Sequence, residues 1–281
     1  MRLQLSMALL SFATLLSACT TIERAAIPKA ELRDPVWADH TPGSALTVDH
    51  SAWQQFLVSY HQVDGKGVAR VAYGAVTLDD RAALTRYIAD LSGVDLQTLD
   101  RDEQLALWIN LYNAKTVDLV LGGYPVDSIR SIDGGLLGTG PWNRPVLRVL
   151  GRDLSLNDIE HAIVRPIWQD ARIHYAFNCA AIGCPNLAAT PYTGATVDNM
   201  LSQNARAYVN DPRGFRFDGD RLIASKIYAW FVEDFGGTES GVLDHAVAFA
   251  RPDLAAQLRA TGRINAYAYD WGLNDASSPG S

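Results

Sequence analysis

Residues 100–125 constrain the fold more than any other part of the chain. Asp100 stands three residues before Glu103, a capping-box arrangement, and an apolar run over 105–121 follows until Gly122-Gly123 and Pro125 stop it. The pattern predicts a long helix. Within it, Trp108-Ile109-Asn110-Leu111-Tyr112-Asn113-Ala114 sets two asparagines three residues apart among apolar neighbours. An asparagine amide competes for nearby backbone groups and weakens a helix interior, so each must be compensated. Either Asn110 and Asn113 pin neighbouring loops by hydrogen bonds, or they face a pocket and hold a substrate or an oxyanion.

The other segments are shorter. Trp53, Phe56, Leu57 and Tyr60 fall at helical spacing, as does 78–91, and further helices are predicted over 156–165, 197–208, 226–235 and 242–250, with one more opened by Pro252. In 156–165, Ser155 and Asp158 resemble a capping box, and Pro166 should end the helix after Arg165. Two hairpins are expected: residues 146–149 with 153–155 across Gly151, and 215–217 with 221–223 across Asp218-Gly219-Asp220. Runs 173–177 and 264–269 read as strands. Helices outnumber strands without alternating with them, which predicts an α+β, helix-rich single domain with a small sheet and β-hairpins. The glycine-rich stretch 133–140 lacks the Gly-Lys-Ser/Thr ending of a phosphate cradle and reads as a loop.

The ends carry an address. Met1-Arg2 precedes an apolar run over 3–16, too short to span a bilayer, which needs about 20 residues. The run ends in Leu16-Ser17-Ala18-Cys19, which resembles the lipobox of bacterial lipoproteins. That resemblance implies a signal peptide over 1–18, cleavage before Cys19, acylation of that cysteine, and attachment to a membrane of the cell envelope, the outer one facing the periplasm where the host has two. Residues 19–48, interspersed with Pro28, Pro35 and Pro42, read as a lipidated cysteine and flexible tether, 49–275 as the globular domain, and 276–281 as a disordered tail. The chain has 24 lysines and arginines against 31 aspartates and glutamates, net −7, so no nucleic-acid partner is expected. The expected partners are the membrane, through Cys19, and an envelope component or a small molecule.

Besides Cys19 there are two cysteines, in His174-Tyr175-Ala176-Phe177-Asn178-Cys179-Ala180-Ala181-Ile182-Gly183-Cys184-Pro185. In an oxidising compartment Cys179 and Cys184 are a candidate disulfide. Alternatively Cys179 is a nucleophile activated by an imidazole, for which the chain offers His174 and, on the short predicted helix, His161. A metal site of His174, Cys179, Cys184 and His161 has wider spacings than the usual zinc clip, and neither metal nor cofactor is assigned. Glu160 and His161 are adjacent and point about 100° apart on an α-helix, so they are not expected to serve one site, whereas His161 and Arg165 share a face.

Several of these segments resemble the family called domain of unknown function 547. They are 107–114; 154–161; 174–185; Ser225-Lys226-Ile227-Tyr228-Ala229-Trp230-Phe231 with Glu233-Asp234-Phe235; and Tyr269-Asp270-Trp271-Gly272-Leu273-Asn274. The resemblance implies one domain running over nearly the whole folded part, with both cysteines inside its motif, and no established activity. Two functions fit. One is a thiol-dependent acyl hydrolase or transferase on an envelope substrate, with Cys179 as nucleophile, His161 or His174 as general base, and Asn110 and Asn113 as polarising or positioning groups. The other is a non-catalytic envelope scaffold or binding module in which Cys179 and Cys184 form a structural disulfide.

The address is tested on its own: mass spectrometry of membrane-extracted protein should show an acylated peptide beginning at Cys19, and Cys19→Ala should yield a soluble or unprocessed form. An unmodified chain still starting at Met1 would sink it.

Overall fold

The computed structural model describes residues 23–24, 27–133 and 140–277. The signal segment 1–18, Cys19, most of the glycine-rich loop and the last four residues lie outside them. The architecture is helix-rich α+β with small sheets of two or three strands. The described residues fall into two compact units, one within 30–205 and 270–281, the other within 1–29 and 206–269.

The larger unit holds α1 (Ser51–Tyr60), a two-stranded antiparallel ribbon of β1 (His61–Val63) and β2 (Ala69–Val71), α2 (Leu78–Ser92), α3 (Arg101–Gly123), and a hairpin of β3 (Leu147–Val149) and β4 (Arg152–Leu154). Every residue of α3 from Glu103 to Ala114 is buried. A helix covered on all faces is the centre of its domain, and α1, α2 and the segment after the hairpin pack around it. The capping box at its start forms by half. Asp100 Oδ1 accepts the Asp102 N–H at 3.1 Å, but the Glu103 carboxylate reaches across to other segments.

The predicted helix over 156–165 is a π-helix, Asp158–Val164, continued by a short α-helical turn, α4 (Arg165–Trp168). Its capping box is complete: Ser155 Oγ accepts from Asp158 N, and Asp158 Oδ2 accepts from Ser155 N at 2.9 Å. Pro166 does not end it. The Arg165 N–H bonds five residues back to Glu160 O, and Pro166 then occupies the first turn of α4, where no amide proton is needed. Residues 173–177 are not a strand but follow from a 3₁₀ turn, Ala171–Tyr175. Asp170 opens it by accepting the Arg172 N–H at 2.8 Å, and Ala176 N and Phe177 N return to Ile173 O, so these donors need no partner strand.

The smaller unit begins within α5 (Val197–Val209). It contains the predicted hairpin β5 (Phe215–Asp218) and β6 (Arg221–Ser225), α6 (Lys226–Trp230), α7 (Glu239–Phe249), α8 (Pro252–Thr261) and β7 (Ala266–Ala268), which adds parallel to β6. Helix α6 stops short of Phe235, because the chain turns through Asp234 N to Phe231 O and Gly237 N to Val232 O. Tyr228 packs between Phe215 and Phe235 with tilted rings, centroids 4.5 and 5.0 Å apart.

The stretch expected as a tether is pinned from residue 31 onward. Glu31 N donates to His161 O, Thr41 N to Leu99 O and Gly43 N to Asp100 Oδ2, while Trp37, 5% exposed, packs edge-on against Trp108 at 5.8 Å. Earlier still, Glu23 accepts from Lys226 Nζ and Trp230 Nε1 within the smaller unit. Isolated anchors of this kind leave no periodic signature. At the other end, Ala276 N donates to Val71 O, so the tail is held as far as that residue. Trp37→Ala should therefore destabilise the larger unit by about 3 kcal/mol in denaturant unfolding, as burial of a large aromatic demands; a freely moving tether would give no change.

Candidate functional site

The two asparagines of α3 grip different loops. Asn110 pairs with the backbone of Tyr192 in both directions, Nδ2 donating to its carbonyl at 2.7 Å and Oδ1 accepting its N–H at 3.0 Å. Asn113 does the same across a gap: Nδ2 donates to Ala176 O at 2.9 Å and Oδ1 accepts from Asn178 N at 2.8 Å. Both side chains are buried, and their amides are engaged by backbone. One helix face thus fixes the segment before the cysteines and the segment entering α5.

Cys179 and Cys184 are joined in a disulfide, with Cα atoms 6.2 Å apart. Asn178 organises the loop they close. Its Oδ1 accepts from Ala180 N at 3.0 Å and its Nδ2 donates to Pro185 O at 2.8 Å, which holds Ala180 in a left-handed conformation at φ 57°. The C-terminal segment of the same unit is laid against this loop: Ile182 N donates to Gly272 O, Gly183 N to Asp270 O and Asn274 N to Ala180 O. Asn274 also takes the Tyr73 hydroxyl, at 2.9 Å.

The histidines sit in a buried charged cluster. His174 Nδ1 lies 3.6 Å from Glu160 Oε1, Arg165 Nη1 lies 3.0 Å from His161 Nδ1, and the Tyr112 hydroxyl reaches Glu160 Oε2 at 3.5 Å. Burial pushes the Glu160 carboxyl up, but the neighbouring basic groups of His161, His174 and Arg165 outweigh it and hold the carboxyl below its ordinary value of 4.5. Burial also pushes the Tyr112 hydroxyl well up, so it stays a neutral donor. Contrary to the expectation from α-helical angles, Glu160 and His161 join one cluster. The π-helix winds with i→i+5 bonds and turns less per residue than an α-helix. Among the described residues no group of three or more His, Cys, Asp or Glu side chains could hold a metal ion.

A shallow, open groove of about 520 Å³ lies beside the Tyr192 backbone that Asn110 holds. Residues 47–51 and Gln54 line one side, Thr190, Pro191 and Thr193 the other. Glu103 ties the walls together, accepting from Val48 N at 2.7 Å and Gly194 N at 2.6 Å. Position 194 must be glycine for this approach, since a Cβ there would lie 2.7 Å from Glu103 Oε2 and 2.9 Å from its backbone nitrogen. His50, at the start of α1, bonds through Nδ1 to the Tyr87 hydroxyl at 2.7 Å and through Nε2 to Asn110 Nδ2 at 3.3 Å. Burial holds its imidazole below the ordinary histidine range, against the pull of Glu103 and Asp49. The roles of His50, Glu103 and Asn274 escape sequence reasoning because their partners lie far away in sequence, and that of Asn178 because it is set by the closure of its own loop.

Much of this geometry falls inside a region that matches a family model. The sequence model of the family described as Protein of unknown function, DUF547, matches residues 96–209, which contain α3, the charged cluster, the disulfide loop and one groove wall, and the match supports that domain family. No curated protein and no solved structure matches the chain.

The cluster makes a prediction about acid. Glu160→Gln leaves the buried basic groups without their counter-charge and should cost about 3 kcal/mol at neutral pH. Because the folded carboxyl titrates below its ordinary value, the stability it contributes is complete above that value and is lost as pH falls through the folded one. Unfolding midpoints measured from about pH 7 to about pH 3 should therefore fall less steeply in Glu160→Gln than in the parent. Equal slopes would remove Glu160 from the account.

Proposed function

We propose that this protein is a non-catalytic envelope binding module, held at a membrane by acylated Cys19, whose ligand surface is the groove between residues 47–54 and 190–193. What carries this reading is the use made of the buried polar groups of α3. Glu103 and Asn110 would be costly in a helix core, and both fix the two walls of one preformed groove. The lining supplies hydroxyls from Thr47, Ser51, Thr190 and Thr193, the Gln54 amide and the Asp49 carboxylate, with no lysine or arginine. Such a surface suits neutral or cationic ligands rich in hydroxyl and amide groups and disfavours anions.

The acyl hydrolase or transferase is the lesser reading. A bridged Cys179 has no thiolate to attack an acyl carbon, and Asn110 and Asn113 bond backbone where an oxyanion would need them. Among the described residues no helix is long and apolar enough to cross a membrane, so attachment rests on the lipobox. Titration with soluble glycan–peptide fragments of the cell wall should shift amide resonances of residues 47–54 and 190–193, and the double variant Gln54→Ala, Thr193→Ala should weaken binding at least about tenfold, the equivalent of 1.4 kcal/mol. Binding that leaves those resonances unmoved, or no binding at all, would overturn the assignment.

A further inference from the structure

The two bridged sulfurs are not equivalent. Cys184 is buried, at 4% exposure, whereas Cys179 is partly exposed at the surface of the larger unit. In addition, the backbone N–H of Cys179 points at Cys184 Sγ, 3.0 Å away. An amide donor aimed at a sulfur stabilises it most when that sulfur carries a full negative charge. Exchange of a disulfide depends on which sulfur an incoming thiolate can reach and on how well the other leaves. Access selects Cys179 for attack. The amide selects Cys184 as leaving group.

We propose that the Cys179–Cys184 bridge is an exchange site for a dithiol reductant, with Cys179 as the residue that forms the mixed disulfide. The incoming thiolate forms a bond to Cys179 Sγ as the Cys179–Cys184 bond breaks, and the electron pair passes to Cys184 Sγ, a thiolate held by the Cys179 N–H. The second thiol of the reductant, having lost its proton, attacks the reductant sulfur of the mixed disulfide and closes the reductant's own disulfide. Cys179 then leaves as thiolate, and protons from the two reductant thiols balance the new thiols. The reductant is oxidised by two electrons, and the bridge is reduced by two. The loop keeps its other supports, since the Asn178 bonds to Ala180 and Pro185 and the backbone bonds to residues 270–274 do not pass through sulfur. Opening the bridge therefore yields two positioned thiols, with Cys184 still beneath an amide donor. This inference does not rest on the groove and stands or falls separately from it.

The test uses the folded, oxidised protein and a thioredoxin-type dithiol protein whose second active-site cysteine is replaced by serine, first shown to capture oxidised glutathione. Under non-denaturing conditions the trap should form a covalent adduct that fragment-ion mass spectrometry places on Cys179, leaving Cys184 free to alkylate. As a second measurement, in a Cys19→Ala background the remaining thiol of Cys184→Ser should react with an aromatic disulfide at least about tenfold faster than that of Cys179→Ser, with circular dichroism confirming that both variants are folded. An adduct mainly on Cys184, no adduct until urea is added, or single-thiol rates that are equal or reversed would overturn the proposal.

Discussion

A helix buried on every side must find partners for each polar group it carries, or lose more stability than its apolar contacts return. In α3 the chief of those groups are Glu103, Gln104, Asn110 and Asn113, and the partners they find are backbone groups outside the helix, most of them far away in sequence. The consequence is structural: the stretch before α1, the segment entering α5 and the approach to the cysteines are all held to one rod. The surfaces so fixed are one lined groove and one strapped loop.

The disulfide loop and the charged cluster depend on that rod in different ways. Asn113 holds the chain on both sides of Phe177, whose ring lies 4.4 Å from that of Tyr112, and Tyr112 in turn reaches Glu160. Cluster and loop are therefore linked through two consecutive residues of one helix. The π-helix presents Glu160, His161 and Arg165 together, and this commits His174 to a carboxylate inside the cluster.

Much of the scaffold was legible. The long helix, both hairpins and the helices after residue 197 follow from period, caps and turn residues, which are local effects written into neighbouring positions. Where reading failed, a local cue was answered from elsewhere. Residues 173–177 read as an apolar strand but are buried in and just after a 3₁₀ turn opened by Asp170. Glu103 sits where a capping-box glutamate belongs but bridges two other segments. Trp37 lies in a proline-punctuated stretch yet fills the core beside Trp108.

The sequence by itself determined a helix-rich α+β chain with a lipobox-like start, two cysteines five positions apart, and two asparagines that had to be compensated. Those conclusions need only composition, spacing and the behaviour of single residue types. Tertiary structure alone decided what compensates the asparagines, that Cys179 and Cys184 are bridged, and that Glu160 and His161 share one cluster. Each of these depends on distances between segments 50 to 100 residues apart, on the closure of one loop, or on a switch from α to π winding, and no local pattern encodes them.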